Sequence, residues 1–113
     1  MPKRSADDLS ALGRLSEPAL HILIALADGP KHGYAMATDI ASMTGSRPGP
    51  GTLYGAISRL EARGWIEPLG EQGRRRPYQL TAAGGRVLRA RIAALDTVNT
   101  VAKARLADAP EPA

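Results

Sequence analysis

The sequence predicts a mainly α fold of the α+β class: three packed helices, a two-stranded hairpin and one long final helix. Three observations carry this. Apolar residues recur at helical spacing in four stretches, and glycine closes each of the first three. Between the third and fourth, two short alternating runs flank Gly70-Glu71-Gln72-Gly73, as strands flank a hairpin turn. The last stretch then runs to about Ala107, further than so small a domain can cover.

Residues 1–14 are polar and mixed in charge, with Leu9 and Leu12 as the apolar points, and are expected to form a flexible N-terminal arm. Ser16 is placed to cap the first helix, with Leu15 and Leu20 spaced as a hydrophobic staple and Pro18 in the first turn. This helix should run to Asp28 and stop at Gly29-Pro30. It is apolar nearly all round (Leu20, Ile22, Leu23, Ile24, Leu26), which makes it the buried central helix. A lone histidine on such a helix, His21, reads as a packed or partly exposed structural residue. The second helix follows from His32-Gly33 to Thr44, with Tyr34, Ala37, Ile40 and Ala41 along one face and Gly45 at its end.

Pro50 opens the third helix and Gly64 ends it. Leu53, Ile57 and Leu60 form its apolar stripe, with Ala56 at the edge. The opposite face carries Gly51, Gly55, Ser58, Arg59 and Ala62, flanked by Thr52 and Tyr54. That face is small, polar and nearly free of acid, and suits close contact with a polyanion; the plainer reading is a solvated back. Gly55 costs about 1 kcal/mol relative to alanine in a helix interior, which calls for a reason. Two helices joined by Gly45-Ser46-Arg47-Pro48-Gly49 make a helix-turn-helix pattern.

Trp65–Leu69 and Arg76–Leu80 read as the hairpin strands, with Tyr78 and Leu80 inward, and Pro77 predicts an open edge on the second. Crowded like charge at Arg74, Arg75 and Arg76 gains nothing for folding and fits a phosphate backbone; the alternative is a solvated turn. A hairpin directly after a helix-turn-helix is a wing, so the expected architecture is a winged helix-turn-helix spanning residues 15–80.

Thr81 should cap the long helix, residues 81–107, roughly 40 Å at about 1.5 Å per residue. Leu88, Ile92, Leu95, Asn99, Ala102 and Leu106 recur at alternating steps of four and three, widened by Val98 and Val101. Each large side chain left wet forfeits about 1.5–3 kcal/mol, so a second copy of this helix is expected against it, making it a dimerisation helix. Asn99 would fix the register of that pair or serve as a polar group in a ligand cavity. Residues 108–113 are expected to be a disordered tail.

Charge sharpens the reading. Fifteen basic residues stand against eleven acidic ones, for a net charge of +4. Nine of the basic residues and three of the acidic ones fall between Arg47 and Arg91, so the excess belongs to the second half, as in a nucleic-acid footprint or a contact with an anionic membrane. The absence of cysteine excludes disulfides, thiol nucleophiles and cysteine-based zinc sites. The longest apolar run, Ala19–Ala27, is too short to span a bilayer, and the N-terminal residues lack the apolar segment of a signal peptide. A cytoplasmic protein with no membrane association is the expectation.

His32-Gly33-Tyr34, Pro50-Gly51-Thr52-Leu53-Tyr54, Arg59-Leu60-Glu61 with Gly64, and Gly73-Arg74-Arg75-Arg76 leading to Tyr78, Leu80-Thr81 and Gly84 resemble the PadR family of bacterial transcriptional regulators. The resemblance covers residues 15 to about 92, and the single C-terminal helix is similar to the compact subfamily, which includes multidrug-sensing regulators. It implies a dimeric winged helix-turn-helix DNA-binding protein, usually a repressor. Carried over, Pro50, Gly51, Thr52, Tyr54, Gly55, Ser58 and Arg59 would belong to the recognition helix. Arg74, Arg75 and Arg76 would form the wing, and His32, Tyr34 and Arg47 would lie near the DNA backbone. Leu88, Ile92, Leu95, Val98, Asn99, Ala102 and Leu106 would make the dimer interface. Gly49 stands where the family commonly has serine, Gly55 where it has proline, and Pro77 where it has a basic or aromatic residue. Leu95 takes the place of a drug-stacking aromatic, so an aromatic-stacking drug site is not expected.

The expected partners are double-stranded operator DNA, a second copy of the chain, and a small-molecule effector of unidentified chemistry. The competing reading is a winged-helix module that binds protein rather than DNA. An enzyme is not expected. Gly49, Gly51 and Gly55 follow no apolar strand and precede no Gly-Lys-Ser/Thr, and neither histidine has a second ligand at metal spacing, so no cofactor or metal is assigned.

Overall fold

The computed structural model describes residues 15–70 and 76–110; the N-terminal arm, Arg74 and Arg75, and the end of the tail lie outside the described residues. The described residues form four helices and two strands, in order α1 (Glu17–Leu26), α2 (Gly33–Thr44), α3 (Pro50–Ala62), β1 (Ile66–Pro68), β2 (Tyr78–Leu80) and α4 (Ala82–Asp108). This is the winged helix-turn-helix that the periodicities predict.

The expected helix ends are present as hydrogen bonds. The Ser16 hydroxyl accepts from the Ala19 amide at 3.3 Å, with Leu15 and Leu20 both buried on either side of that cap. Gly45 ends α2 in the left-handed conformation, φ 81°. Helix α1 stops at Leu26, two residues short of the expected Asp28, because the Ala27 amide turns back to the Ile24 carbonyl and tightens the last turn. On α2 the buried face is Gly33, Met36, Ala37 and Ile40. The sequence pattern puts Tyr34 on that face; it is instead 75% exposed, because the stripe is set one step round by Met36, which is fully buried.

The hairpin is shorter than its sequence runs suggest. Strands β1 and β2 pair antiparallel with Ile66 opposite Leu80, Glu67 opposite Gln79 and Pro68 opposite Tyr78. The edge of β2 is not open at Tyr78. Lys31 exchanges both backbone hydrogen bonds with Tyr78, at 3.1 and 2.9 Å, and places a one-residue third strand against β2. Pro77 is tolerated because its part in the sheet is to accept, from the Leu69 amide at 2.8 Å. The Lys31 ammonium donates to the Ala25 carbonyl at 2.6 Å and pairs with Asp28, which holds the Asp28 carboxyl below its usual range.

One core joins the elements. Ile22 and Leu23 of α1, Met36 of α2, Leu60 of α3 and Ile66 of β1 are its largest fully buried side chains, and Trp65, Val87 and Leu88 complete it. Leu88 therefore departs from the expectation that puts it at the head of an intersubunit stripe. It is 6% exposed, packed within its own domain, because α4 crosses the core for its first two turns before leaving it. Beyond that point α4 is unsupported by its own chain. Ile92 (42% exposed), Leu95 (37%) and Val98 (64%) lie open, as do Asn99, Ala102 and Leu106. No helix among the described residues is long and apolar enough to cross a membrane.

Candidate nucleic-acid interface

Burying Leu53, Ala56, Ile57 and Leu60 fixes which side of α3 looks outward. That side presents Gly51, Thr52, Tyr54, Ser58 and Arg59 exposed and Gly55 half-buried, with Pro50 exposed in the first turn. The first turns of α2 and α3 hold no acidic residue, so the positive ends of both helices are unblocked toward an anion.

The start of α2 meets α3 at a tight contact. The Tyr54 ring lies over Gly33, where a Cβ would collide with its hydroxyl group and stand 2.8 Å from Cζ. A side chain at Gly33 in His32-Gly33-Tyr34 would thus displace the ring of Tyr54, twenty-one residues later in the chain. The same contact holds Tyr54 at the junction of the two helices. His32 caps α2 through its backbone alone, leaving its exposed side chain uncommitted to the cap.

Arg47 comes back across α2 from the connecting loop. Its guanidinium stands 4.7 Å from the centroid of the Tyr34 ring, and Nη1 donates to the Thr38 hydroxyl at 3.0 Å. This orders an exposed cation beside an exposed aromatic ring. Sequence reasoning does not single out Thr38, although it lies four residues after Tyr34 on the same helix face, a spacing at which side chains meet. Between these groups and Tyr54 runs a shallow groove of about 210 Å³. The structure thus brings His32, Tyr34, Arg47 and the outer face of α3 to one surface. Of the wing arginines it describes Arg76, which is half-buried, while Arg74 and Arg75 lie outside the described residues.

The glycines of α3 separate what folding needs from what it does not. Among the described residues a Cβ at Gly51 would meet nothing within 4 Å, and one at Gly55 would only touch the flexible end of Arg59 at 3.5 Å. Neither has the positive φ that favours glycine. Folding leaves room for a side chain at both positions.

With this surface in place, comparison with known proteins is decisive. The family model of the transcriptional regulator PadR-like family matches residues 22–90, more than half of the chain. The chain belongs to the PadR-like family. Members of this family regulate transcription and are not enzymes. The chain is 51% identical over 75 residues to an uncharacterized 37.1 kDa protein of transposon TN4556 from Streptomyces fradiae, covering 66% of this chain and 22% of that protein. It is 47% identical over 68 residues to the transcriptional regulator Rv3488 of Mycobacterium tuberculosis, covering 58% of this chain and 63% of that one. The chain therefore spans less than two thirds of the length of both relatives. A PadR family transcription regulator from Clostridium difficile superimposes with a TM-score of 0.70 at 25% identity, over 80% of this chain and 99% of that one.

Proposed function

We propose that the chain is a homodimeric repressor that binds operator DNA through α3. The two copies of α3 enter successive major grooves about 34 Å apart, and Thr52, Tyr54, Ser58 and Arg59 face the base edges. His32, Tyr34 and Arg47 lie along the phosphates, and Arg74, Arg75 and Arg76 reach the backbone from the wing. The exposed stripe of α4, with Ile92, Leu95, Val98, Asn99, Ala102 and Leu106, holds the two copies together. A small molecule entering between these helices releases the operator by turning the two heads apart.

The observation that carries this reading is the glycine pair on the outer face of α3. Among the described residues nothing lies within 4 Å of a Cβ at Gly51, and at Gly55 it would make only ordinary contact with the flexible end of Arg59, while glycine weakens a helix interior by about 0.5–1 kcal/mol. Close approach of a duplex to the helix backbone supplies the missing reason. Gly55→Ala should therefore raise the stability of the free protein by roughly 0.5–1 kcal/mol and weaken operator binding at the same time. Thermal melts and fluorescence anisotropy read the two effects separately. A variant that melts higher and binds as tightly would remove the support.

The wing has its own test. Replacing Arg74 and Arg75 with alanine should weaken binding to operator and random duplex alike, and lower the slope of log affinity against log salt by about one for each phosphate the wing no longer touches. An unchanged slope would take the wing off the DNA. Purified protein titrated with the duplex upstream of its own gene, against a random duplex, tests the whole reading. No measurable affinity for either at about 50 mM salt, where phosphate contacts bind tightly, would favour the protein-binding alternative.

A further inference from the structure

A second cavity, on the other side of Leu53 from the groove beneath Tyr54, is absorbed by none of the roles above. It measures about 380 Å³, within the roughly 300–1,000 Å³ range of small-molecule sites. The first turns of α1, the end of α2, the connecting loop and the start of α3 line it, and it opens to solvent past the exposed Glu17 and Thr52. Its apolar wall is Ile22, Ile40 and Leu53, side chains already anchored in the core. Its polar side chains are Glu17, His21, Ser46 and Thr52, while the Thr44 hydroxyl is occupied with the Ile40 and Ser46 carbonyls at 2.8 and 3.0 Å. Among the described residues, none of the Glu17, His21 and Thr52 side chains has a hydrogen-bond or ion-pair partner.

We propose that this cavity binds a small organic cation: an apolar body against Ile22, Ile40 and Leu53, with an ammonium group held by the Glu17 carboxylate. Charge decides the class. Among the described residues of the lining Glu17 supplies the one carboxylate and there is no lysine or arginine, so a phosphate or carboxylate ligand finds no guanidinium or ammonium partner while an organic ammonium finds a charge-assisted acceptor. Glu17 and His21 lie one turn apart on α1 and border the same rim. Thr52 ties the site to its neighbour, since it lines the cavity and also stands exposed beside the outer face of α3. A molecule seated against Thr52 occupies space that a bound duplex needs. Ligand and DNA therefore oppose one another, each lowering the affinity of the other by the same factor. This last step rests on the DNA-binding reading; the cavity's occupation by a cation does not. The site lies within each head, apart from any ligand between the α4 helices.

The test uses the full chain and 2-phenylethylammonium as the probe, with 2-phenylethanol and phenylacetate as its neutral and anionic counterparts. Amide NMR shifts should concentrate at Glu17, His21 and Thr52 with the cation, weaken with the alcohol and be absent with phenylacetate. Glu17→Gln should weaken the cation roughly tenfold or more, the scale of losing a charged hydrogen bond. An acid in the first turn also favours the helix end, so the variant is melted in parallel. A lower melting point with unchanged probe affinity would make Glu17 a helix-end residue and overturn the site. Shifts confined to α4, or no ordering by charge, would do the same. In the anisotropy assay with upstream duplex, the cation should lower duplex affinity in the native protein and have at least tenfold less effect in Glu17→Gln. Loss of duplex binding in every sample would instead sink the DNA reading and leave the NMR result to judge the cavity alone.

Discussion

Replacing Ile92 and Leu95 together with aspartate is expected to leave a folded monomer whose affinity for operator has fallen by roughly 100-fold or more. The two side chains are 42% and 37% exposed in the single chain, and neither belongs to its core, so the head should fold unchanged. In the proposed dimer each buries the part still exposed in the single chain, less than half of the about 1.5–3 kcal/mol that full burial gives, and facing carboxylates add repulsion. Once the heads are unlinked, the gain from binding two half-sites in one event, typically 10²- to 10⁴-fold, is lost. Sedimentation velocity reads the first effect and anisotropy with operator the second. A double variant that still sediments as a dimer would move the interface elsewhere on the molecule.

The second large effect is on folding. Gly84 lies in the first turn of α4, where a Cβ would strike the backbone carbonyl of Trp65 and stand 2.9 Å from Leu80 Cδ1. That carbonyl already accepts from the Thr81 amide at 3.1 Å, while the Thr81 hydroxyl donates to the Gly64 carbonyl at 2.7 Å and caps the Gly84 amide at 3.0 Å. The end of the α3 turn, the start of β1 and the first turn of α4 are thus stitched at one point. Gly84→Ala should cost about 1–3 kcal/mol by overpacking, which lowers the melting temperature by several degrees, at about 4–8 °C per kcal/mol for a domain of this size. Backbone has nowhere to retreat, unlike a flexible side-chain end. A melt within a degree of the native protein would show that α4 can shift away from β1 freely.

Gly84 and Gly55 together mark what glycine alone does not reveal. Each is a glycine inside a helical stretch, Gly84 with Gly85 beside it, and the linear pattern does not say which of them packs against another element. One is demanded by a carbonyl inside the protein; the other meets only the end of Arg59. Leu88 and Ile92 pose the same problem on α4. They are successive members of one apolar stripe, yet the first closes the domain's own core and the second is left open.

Helix positions, caps, the hairpin and the surplus of positive charge were set by the sequence itself, because they depend on neighbours three or four residues away and on the local preferences of Ser16, Gly45, Pro50 and Thr81. Only the tertiary structure decided the rest: Lys31 closing the edge of β2, Tyr54 lying over Gly33, Arg47 reaching Tyr34 and Thr38, and the cavity between Glu17 and Thr52. Each of these joins residues from separate elements. Periodicity says which face of an element is buried, but distance across the fold depends on how those faces pack.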